Sequence, residues 1–296
     1  MTTTESASAR YASIEDWSSA ELVAGILEGQ FAAIGAVQGA SEAIARTIDA
    51  ATERLSAGGR LIYLGAGTSG RIATQDAAEL PPTYNWPYER ALTLMAGGET
   101  ALNKAAEGAE DSEEEAVRRL EVAGVGANDV VIGLAASGRT PFVIAGLTFA
   151  RERGALAIGI YNNRGGKVGE ACDIAVLLDT GPELVAGSTR MKAGTAQKAA
   201  LNCISTGVMI RLGFVYRGLM VEMRPTNVKL NERAAQMVAD LTGADIETAR
   251  ATLAEADGVI KLATVMLTRS LDRNEAQAAL DGAGGNLRRA LTSGRQ

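Results

Sequence analysis

Leu61-Ile62-Tyr63-Leu64 is a short apolar run that leads directly into Gly65-Ala66-Gly67-Thr68-Ser69-Gly70-Arg71. A short apolar run of this kind is typical of a buried strand, and the loop after it is rich in glycine and hydroxyl residues. Glycine lets the backbone approach a ligand closely. Ser and Thr hydroxyls, with the free N–H groups of a following helix, can bind a phosphate without a buried counter-charge. The stretch therefore predicts a strand, an anion-binding loop and a helix in succession.

Two further stretches share this composition. They are Ala135-Ala136-Ser137-Gly138-Arg139-Thr140, which follows another apolar run, and Gly187-Ser188-Thr189-Arg190-Met191-Lys192, which opens an apolar helix pattern from about 191 to 212. Pro141 supports a helix after the second loop, because proline is favoured at the first helical position and Thr140 can cap it. One such loop is weak evidence, whereas three in one chain indicate a site for a phosphorylated small molecule.

Five apolar runs alternate with helical patterns in the middle of the chain. The runs are Leu61–Leu64, Ala91–Met95, Asp129–Leu134, Leu156–Tyr161 and Ile174–Leu178. This alternation predicts an α/β fold with a doubly wound, parallel five-stranded sheet of flavodoxin-like type. Helices are predicted in the gaps, notably over 104–122 and 141–153. In such sheets ligands bind beyond the carboxyl ends of the strands.

Helices are also predicted before and after this sheet. Apolar spacing indicates one or two long helices between residues 19 and 55, and a small bundle after residue 225. The bundle segments are 228–241, 246–255, 259–267, 274–280 and 287–291. We therefore expect an N-terminal helical arm over 1–49, a sheet domain over 50–225 and a C-terminal helical subdomain over 226–296.

Composition argues against several classes of protein. The chain has 296 residues and a net charge of −6, with no long basic stretch, which argues against nucleic acid as a partner. With two cysteines and no histidine, neither a disulfide scaffold nor a metal site is expected. Acid–base chemistry is then left to Asp, Glu, Lys, Tyr or Cys. The residues after Met1 contain no apolar leader, and we expect no apolar run to be long enough to span a membrane. Both features predict a cytoplasmic protein with no membrane partner.

Several longer stretches resemble a known family. The three loops and their order resemble the sugar isomerase (SIS) fold, whose members bind phosphosugars, and more closely the N-acetylmuramic acid 6-phosphate etherases. The stretches that carry the resemblance are 61–71, Asp76-Ala77-Ala78-Glu79-Leu80-Pro81-Pro82-Thr83, Ala96-Gly97-Gly98-Glu99, Glu107-Gly108-Ala109-Glu110-Asp111-Ser112, 135–141, 187–198 and Asn227-Val228-Lys229-Leu230. The resemblance covers roughly residues 55 to 291.

The resemblance implies an activity and a set of site residues. Members of that family cleave the D-lactyl ether of N-acetylmuramic acid 6-phosphate, giving N-acetylglucosamine 6-phosphate and D-lactate, and need no metal or cofactor. Glu79 and Glu110 match the family's two catalytic acids. We expect Glu79, on a helix that Pro81-Pro82 ends, to protonate the leaving lactate, and Glu110, on the next helix, to handle the C2 proton. The expected phosphosugar contacts are Gly67, Thr68, Ser69, Ser137, Gly138, Thr140, Ser188 and Thr189. A homodimer is expected because SIS domains commonly pair.

Each of these residues also has a structural interpretation. Hydroxyl residues at helix starts commonly serve as caps, and glutamates on helices, such as 113–115, are commonly solvated surface charges. Near the third loop, Glu183 is a possible sugar contact, and Arg190 and Lys192 either contact the ligand or satisfy a neighbouring carboxylate.

Two other functions fit the same loops. A sugar-phosphate isomerase would act on the same C2 proton, but the neighbourhoods of Glu79 and Glu110 and the lack of histidine argue against it. A non-catalytic phosphosugar sensor, similar to glucokinase regulatory protein, would be expected to carry two sugar domains in a longer chain.

Overall fold

The computed structural model describes residues 3–104 and 106–292. Two helices precede the sheet, α1 over Ser19–Gly39 and α2 over Ser41–Ser56. Ser18 begins α1 through a capping box, because its hydroxyl accepts from the Glu21 backbone N–H and the Glu21 carboxylate accepts from the Ser18 backbone N–H.

Five parallel strands form the central sheet, which confirms the prediction. They are β1 (Leu61–Gly65), β2 (Ala91–Met95), β3 (Val130–Ala135), β4 (Leu156–Tyr161) and β5 (Ile174–Leu177). Their order across the sheet is β2-β1-β3-β4-β5. Every residue of β1, β3 and β4 is buried, as expected for a parallel sheet covered by helices on both faces. The strand order reverses between β1 and β3, which opens a crevice at the carboxyl ends of these two strands.

Four more helices belong to the sheet region. They are α3 (Gly67–Tyr84), α4 (Glu113–Val122), α5 (Pro141–Glu152) and α6 (Lys192–Arg211). Helices α4 and α5 share a buried core with Ile62, Leu64 and Val131. Tyr63 alternates with its neighbours on β1, so it points to the opposite face, where its hydroxyl donates to Asp76 of α3 at 2.9 Å.

Two helix boundaries differ from the predictions. Helix α3 does not end at Pro81-Pro82 but contains both prolines and runs to Tyr84. Each proline removes an N–H donor and its ring crowds the carbonyl four residues back, but the prolines lie in the last turns of the helix, where Leu80 and Tyr84 are buried.

The helix predicted from residue 104 begins only at Glu113. Gly108 adopts φ +70°, a 3-10 turn follows over Ala109–Asp111, and Ser112 then caps α4. Glu110 therefore lies in this 3-10 turn and not, as expected, in an α-helix.

The C-terminal part is helical, as predicted, apart from a small hairpin that the sequence did not indicate. The hairpin pairs β6 (Val215–Tyr216) with β7 (Leu219–Met220). The helices are α7 (Val228–Thr242), α8 (Ile246–Glu255), α9 (Ile260–Arg269), α10 (Arg273–Gly282) and α11 (Leu287–Thr292). Side chains of Asn227, Asp245 and Asp272 cap α7, α8 and α10, because each accepts from a backbone N–H three residues on.

Internal contacts divide the chain into two compact units. One runs to Ala78 and resumes over Tyr88–Gly207, and the other comprises Glu79–Pro87 and the chain from Val208 onward. The N-terminal helices fall in the same unit as the sheet.

Helix α1 corrects the expectation that no segment reaches membrane-spanning length. It has 21 residues, an 18-residue window with a mean hydropathy of 1.4, and only 17% of that window is buried. By length and composition alone it is long and apolar enough to cross a membrane, a property that core helices of soluble proteins share.

Candidate functional site

A cavity of about 410 Å³ lies beyond the carboxyl ends of β1 and β3, at the reversal of strand order. Open α/β sheets bind ligands at this position. The three hydroxyl loops contribute to it, together with the turn before α4 and a turn near the N-terminus. Its lining residues are Thr4, Glu5, Ala66, Gly67, Thr68, Ser69, Glu110, Asp111, Ala135, Ala136, Ser137, Arg139, Thr140, Pro141, Gly187 and Thr189.

Glycine shapes the first loop in two ways. Gly67 begins α3 with φ +53°, a left-handed conformation that side chains disfavour. Gly65 and Gly70 allow the strand end and the helix to touch, since a Cβ on Gly70 would lie 2.8 Å from the Gly65 carbonyl oxygen. The close contact places the first turn of α3, with Thr68 and Ser69, at the cavity.

Helix capping does not use the Thr140 hydroxyl. Thr140 occupies the N-cap position of α5, but its side chain makes no cap hydrogen bond. The Ser137 hydroxyl accepts from the Arg139 backbone N–H at 3.1 Å within the loop. Both side chains line the cavity, so the Thr140 hydroxyl is available to a ligand.

The charge distribution suits an anion at one part of the cavity. Helices α3 and α5 both begin there, and helix N-termini carry free N–H groups and partial positive charge. The Arg139 side chain adds a full positive charge. Three carboxylates, of Glu5, Glu110 and Asp111, also line the cavity, and these favour a neutral, hydrogen-bonding part of a ligand.

Glu110 is exposed and lies where two cavities meet. It lines the main cavity and an adjoining one of about 200 Å³, which Arg71 and Glu107 also line. The Arg71 guanidinium donates to the carbonyl oxygens of Ala101 and Leu102 at 2.8 and 2.9 Å. Arg71 therefore fastens the start of α3 to the chain that leads to Glu110.

Glu79 is exposed on α3 and is not among the residues that line either cavity. Two of the predicted contacts, Gly138 and Ser188, also do not line either cavity, and neither do Arg190 and Lys192. Gly138 adopts φ +69° and packs against Gly166, so it determines the shape of the second loop.

Glu183 has a structural partner. It is buried, and its carboxylate accepts from the backbone N–H groups of Lys192 and Ala193 at 3.2 and 2.9 Å, which caps the start of α6. Burial raises the pKa of Glu183, and it lowers the pKa of the Lys192 ammonium.

Asp76, three residues before Glu79, is a second buried carboxylate outside the cavity. It accepts from the hydroxyls of Tyr63 and Ser205 at 2.9 and 3.2 Å, and the Lys198 ammonium lies 3.7 Å away. Burial raises the pKa of Asp76 despite these partners. The cluster ties α3 to β1 and α6.

Nine of the lining residues were not among the predicted site residues, namely Thr4, Glu5, Ala66, Asp111, Ala135, Ala136, Arg139, Pro141 and Gly187. Seven of them lie inside the motif stretches, so membership of a motif was an available signal. Thr4 and Glu5 had no such signal, because they reach the cavity from a distant part of the chain.

Several known proteins are similar to this chain in sequence. A family model for the glucokinase regulatory protein N-terminal SIS domain matches residues 43–151, and one for the SIS domain matches residues 102–206. The N-acetylmuramic acid 6-phosphate etherase of Deinococcus radiodurans is 47% identical over 98% of this chain and 95% of its own length. That of Mycolicibacterium smegmatis is 45% identical over 98% of each chain.

Among solved structures, a phosphoheptose isomerase from Francisella tularensis is 16% identical, with a TM-score of 0.48, over 66% of this chain and 98% of that chain. The etherases match almost the whole chain at far higher identity. The chain therefore belongs to the N-acetylmuramic acid 6-phosphate etherase family.

Proposed function

We propose that this chain cleaves the D-lactyl ether of N-acetylmuramic acid 6-phosphate and releases N-acetylglucosamine 6-phosphate and D-lactate. The observation that carries the proposal is identity of 45–47% to etherases across 98% of the chain. The cavity agrees with it, because hydroxyl groups and two helix starts suit a phosphate while carboxylates suit acid–base work on the sugar.

The reaction follows from the chemistry of the open-chain sugar. Its C1 aldehyde acidifies the C2 proton, so a base can remove that proton first, and the lactyl oxygen then leaves C3 with a proton from an acid. The unsaturated aldehyde then takes up water at C3 and a proton at C2. One water is consumed, and acid–base groups suffice for each step.

For the phosphate we propose contacts from Gly67, Thr68, Ser69, Ser137, Thr140 and Thr189, all of which line the cavity. Backbone N–H groups at the start of α3 and α5 would donate to the phosphate oxygens, and the hydroxyls would do the same. Gly138 and Ser188 act on the shape of their loops in this proposal.

For the acid–base pair we propose Glu110 as the base at C2 and Glu79 as the acid at the lactyl oxygen. The position of Glu110 on the cavity wall supports its role. The proposal for Glu79 rests on the family resemblance, since Glu79 does not line the cavity.

Proton NMR of the purified protein with N-acetylmuramic acid 6-phosphate in D₂O tests the function. We expect release of D-lactate and deuterium at C2 of the product. Exchange or isomerisation of a hexosamine phosphate without lactate would instead identify an isomerase. Binding without turnover of either would identify a phosphosugar sensor.

We further propose that the chain works in the cytoplasm as a homodimer that pairs through α1. Val23, Leu27, Phe31 and Ile34 recur at helical spacing on this helix and are 52–77% exposed. A large exposed apolar stripe of this kind is typical of an interaction surface.

A further inference from the structure

The 3-10 turn Thr3–Glu5 lies against the cavity, and its central residue is fully buried. Thr4 is 0% exposed, although Thr3 and Glu5 on either side of it are exposed or line the cavity. A threonine that is buried between such neighbours must satisfy its backbone and side-chain polar groups within the protein.

Thr4 meets this requirement through three hydrogen bonds. Its backbone N–H donates to Asn163 Oδ1 at 3.0 Å, its Oγ1 accepts from Asn163 Nδ2 at 2.9 Å, and its carbonyl accepts from the Gly187 N–H at 3.0 Å. Asn163 is itself 2% exposed, and its Nδ2 also donates to the Ala136 carbonyl at 2.8 Å. Thr4 thus joins the loops that follow β3 and β4 to the third hydroxyl loop.

We propose that Thr4 is a positioning residue of the phosphosugar site. It fastens the Thr3–Glu5 turn as a wall of the cavity, and through Asn163 and Gly187 it holds the second and third hydroxyl loops at their ligand-binding separation. The turn places Glu5 among the residues that line the cavity. Because a carboxylate repels a phosphate, Glu5 faces the neutral part of the sugar and accepts from its hydroxyl or amide groups. The ligand assigned here rests on the proposed function.

Three variants test the role of Thr4. Thr4→Val keeps the shape but loses the hydroxyl, Thr4→Ser keeps the hydroxyl, and Thr3→Val is a matched control on an exposed neighbour that does not line the cavity. Titration calorimetry with N-acetylglucosamine 6-phosphate should show the Kd about tenfold higher in Thr4→Val and within about twofold of the original in Thr4→Ser and Thr3→Val.

Hydrogen–deuterium exchange without ligand supplies a readout that does not depend on catalysis. Residues 136–138 and 187–189 should exchange faster in Thr4→Val than in the original chain, and Thr4→Ser should restore slow exchange. Unchanged exchange and an unchanged Kd would overturn the proposal. A lower Kd in Thr4→Val would also overturn it, because the turn would then obstruct the cavity.

Glu5→Gln tests the carboxylate. Its Kd for N-acetylglucosamine 6-phosphate should rise about fivefold while its Kd for inorganic phosphate stays the same, because the lost charge faces the sugar. A lower Kd for inorganic phosphate would place Glu5 beside the phosphate and contradict its proposed contact with the sugar. If the original chain binds the phosphosugar but releases no lactate, the proposed function fails, whereas the exchange and Kd pattern still decides the role of Thr4.

Discussion

Thr140 illustrates how one side chain becomes available for binding. It stands where a helix cap is expected, yet α5 begins without using its hydroxyl. Pro141 at the first helical position lacks an N–H, so one fewer donor needs a partner. The Thr140 hydroxyl remains free for a ligand in the cavity.

Replacing Thr140 by valine should weaken substrate binding without loss of stability. We expect KM for N-acetylmuramic acid 6-phosphate to rise about tenfold, from the loss of one hydrogen bond to a charged group. The melting temperature should stay unchanged, because α5 loses no cap. Asn227→Ala is the opposite case, since its side chain caps α7 and its loss should cost about 1 kcal/mol of stability. Steady-state kinetics measures KM, and calorimetry measures the stability of both variants. A clearly lower melting temperature of Thr140→Val would contradict the conclusion that the Thr140 hydroxyl does not cap α5.

Variants of the two glutamates should block different steps of the reaction. In D₂O, Glu110→Gln should lose both deuterium exchange at C2 and lactate release, by about 10²–10⁴-fold for a lost general base. Glu79→Gln should keep the exchange and lose the release, because the C2 proton leaves before an unprotonated lactate can depart. Proton NMR measures both reactions.

Glu114→Gln, on the exposed side of α4, is the control for this comparison and should behave like the original chain. Normal lactate release by Glu79→Gln would remove Glu79 from the mechanism. Continued C2 exchange by Glu110→Gln would do the same for Glu110.

At the scale of elements, the joint between β1 and α3 depends on glycine for two different reasons. A Cβ on Gly67 would meet no atom within 4 Å, so Gly67→Ala should cost only the strain of a left-handed alanine, about 1–2 kcal/mol. A Cβ on Gly70 would meet the Gly65 backbone at 2.8 Å, so Gly70→Ala must separate strand from helix and should cost more. Urea unfolding would measure the difference, and a smaller loss in Gly70→Ala would contradict this account of the joint.

The ion pair at the amino ends of β1 and β3 predicts a pH dependence. The Asp129 carboxylate accepts from Arg60 Nε at 3.0 Å and Nη2 at 2.6 Å, and from the Gly126 N–H at 3.0 Å. Burial by itself would raise the pKa of Asp129, but these hydrogen bonds outweigh it and hold the pKa below the ordinary value of 3.8. A carboxyl with a lowered pKa in the folded state stabilises the fold above pH 3.8, and this contribution is lost as the pH falls through the folded-state pKa.

Asp129→Asn should therefore be less stable than the original chain by about 3 kcal/mol at pH 7, because Arg60 loses its charged partner. The difference in the free energy of unfolding between the two chains should become smaller as the pH falls below 3.8. Urea unfolding at pH 7 and near pH 3 would measure both values. A gap that stays constant with pH would show that the charge of Asp129 does not stabilise the fold.

At the scale of the whole molecule, the apolar stripe on α1 predicts the oligomeric state. Phe31, 77% exposed, is the most exposed side chain of the stripe, so Phe31→Glu should convert the expected dimer to a monomer by placing a charge in the interface. Val122→Glu changes a side chain that is 79% exposed at the end of α4 and should leave the dimer intact. Light scattering after size exclusion measures the mass. A monomeric original chain, or capture of the chain by lipid vesicles, would contradict the dimer.

Local sequence patterns were sufficient to predict most of the helices and strands and most of the residues in the three loops. The five strands and the C-terminal helices could be predicted because apolar periodicity and glycine breaks act over a few residues. The end of α3 and the start of α4 could not, because buried Leu80 and Tyr84 hold the first helix past its prolines and Gly108 interrupts the second. Packing overrides the local signal at the end of α3, whereas a glycine with positive φ delays the start of α4.

The sequence by itself determined the fold class and the family, since both are carried by short patterns of residues along the chain. Only the tertiary structure decided which residues meet at the cavity. Thr4 lies at it through a hydrogen bond to a side chain 159 residues away, whereas Gly138 and Ser188, inside the predicted loops, do not line it. The physical reason is that strand order and long-range hydrogen bonds set the convergence of side chains, and neither leaves a signal within a local stretch of sequence.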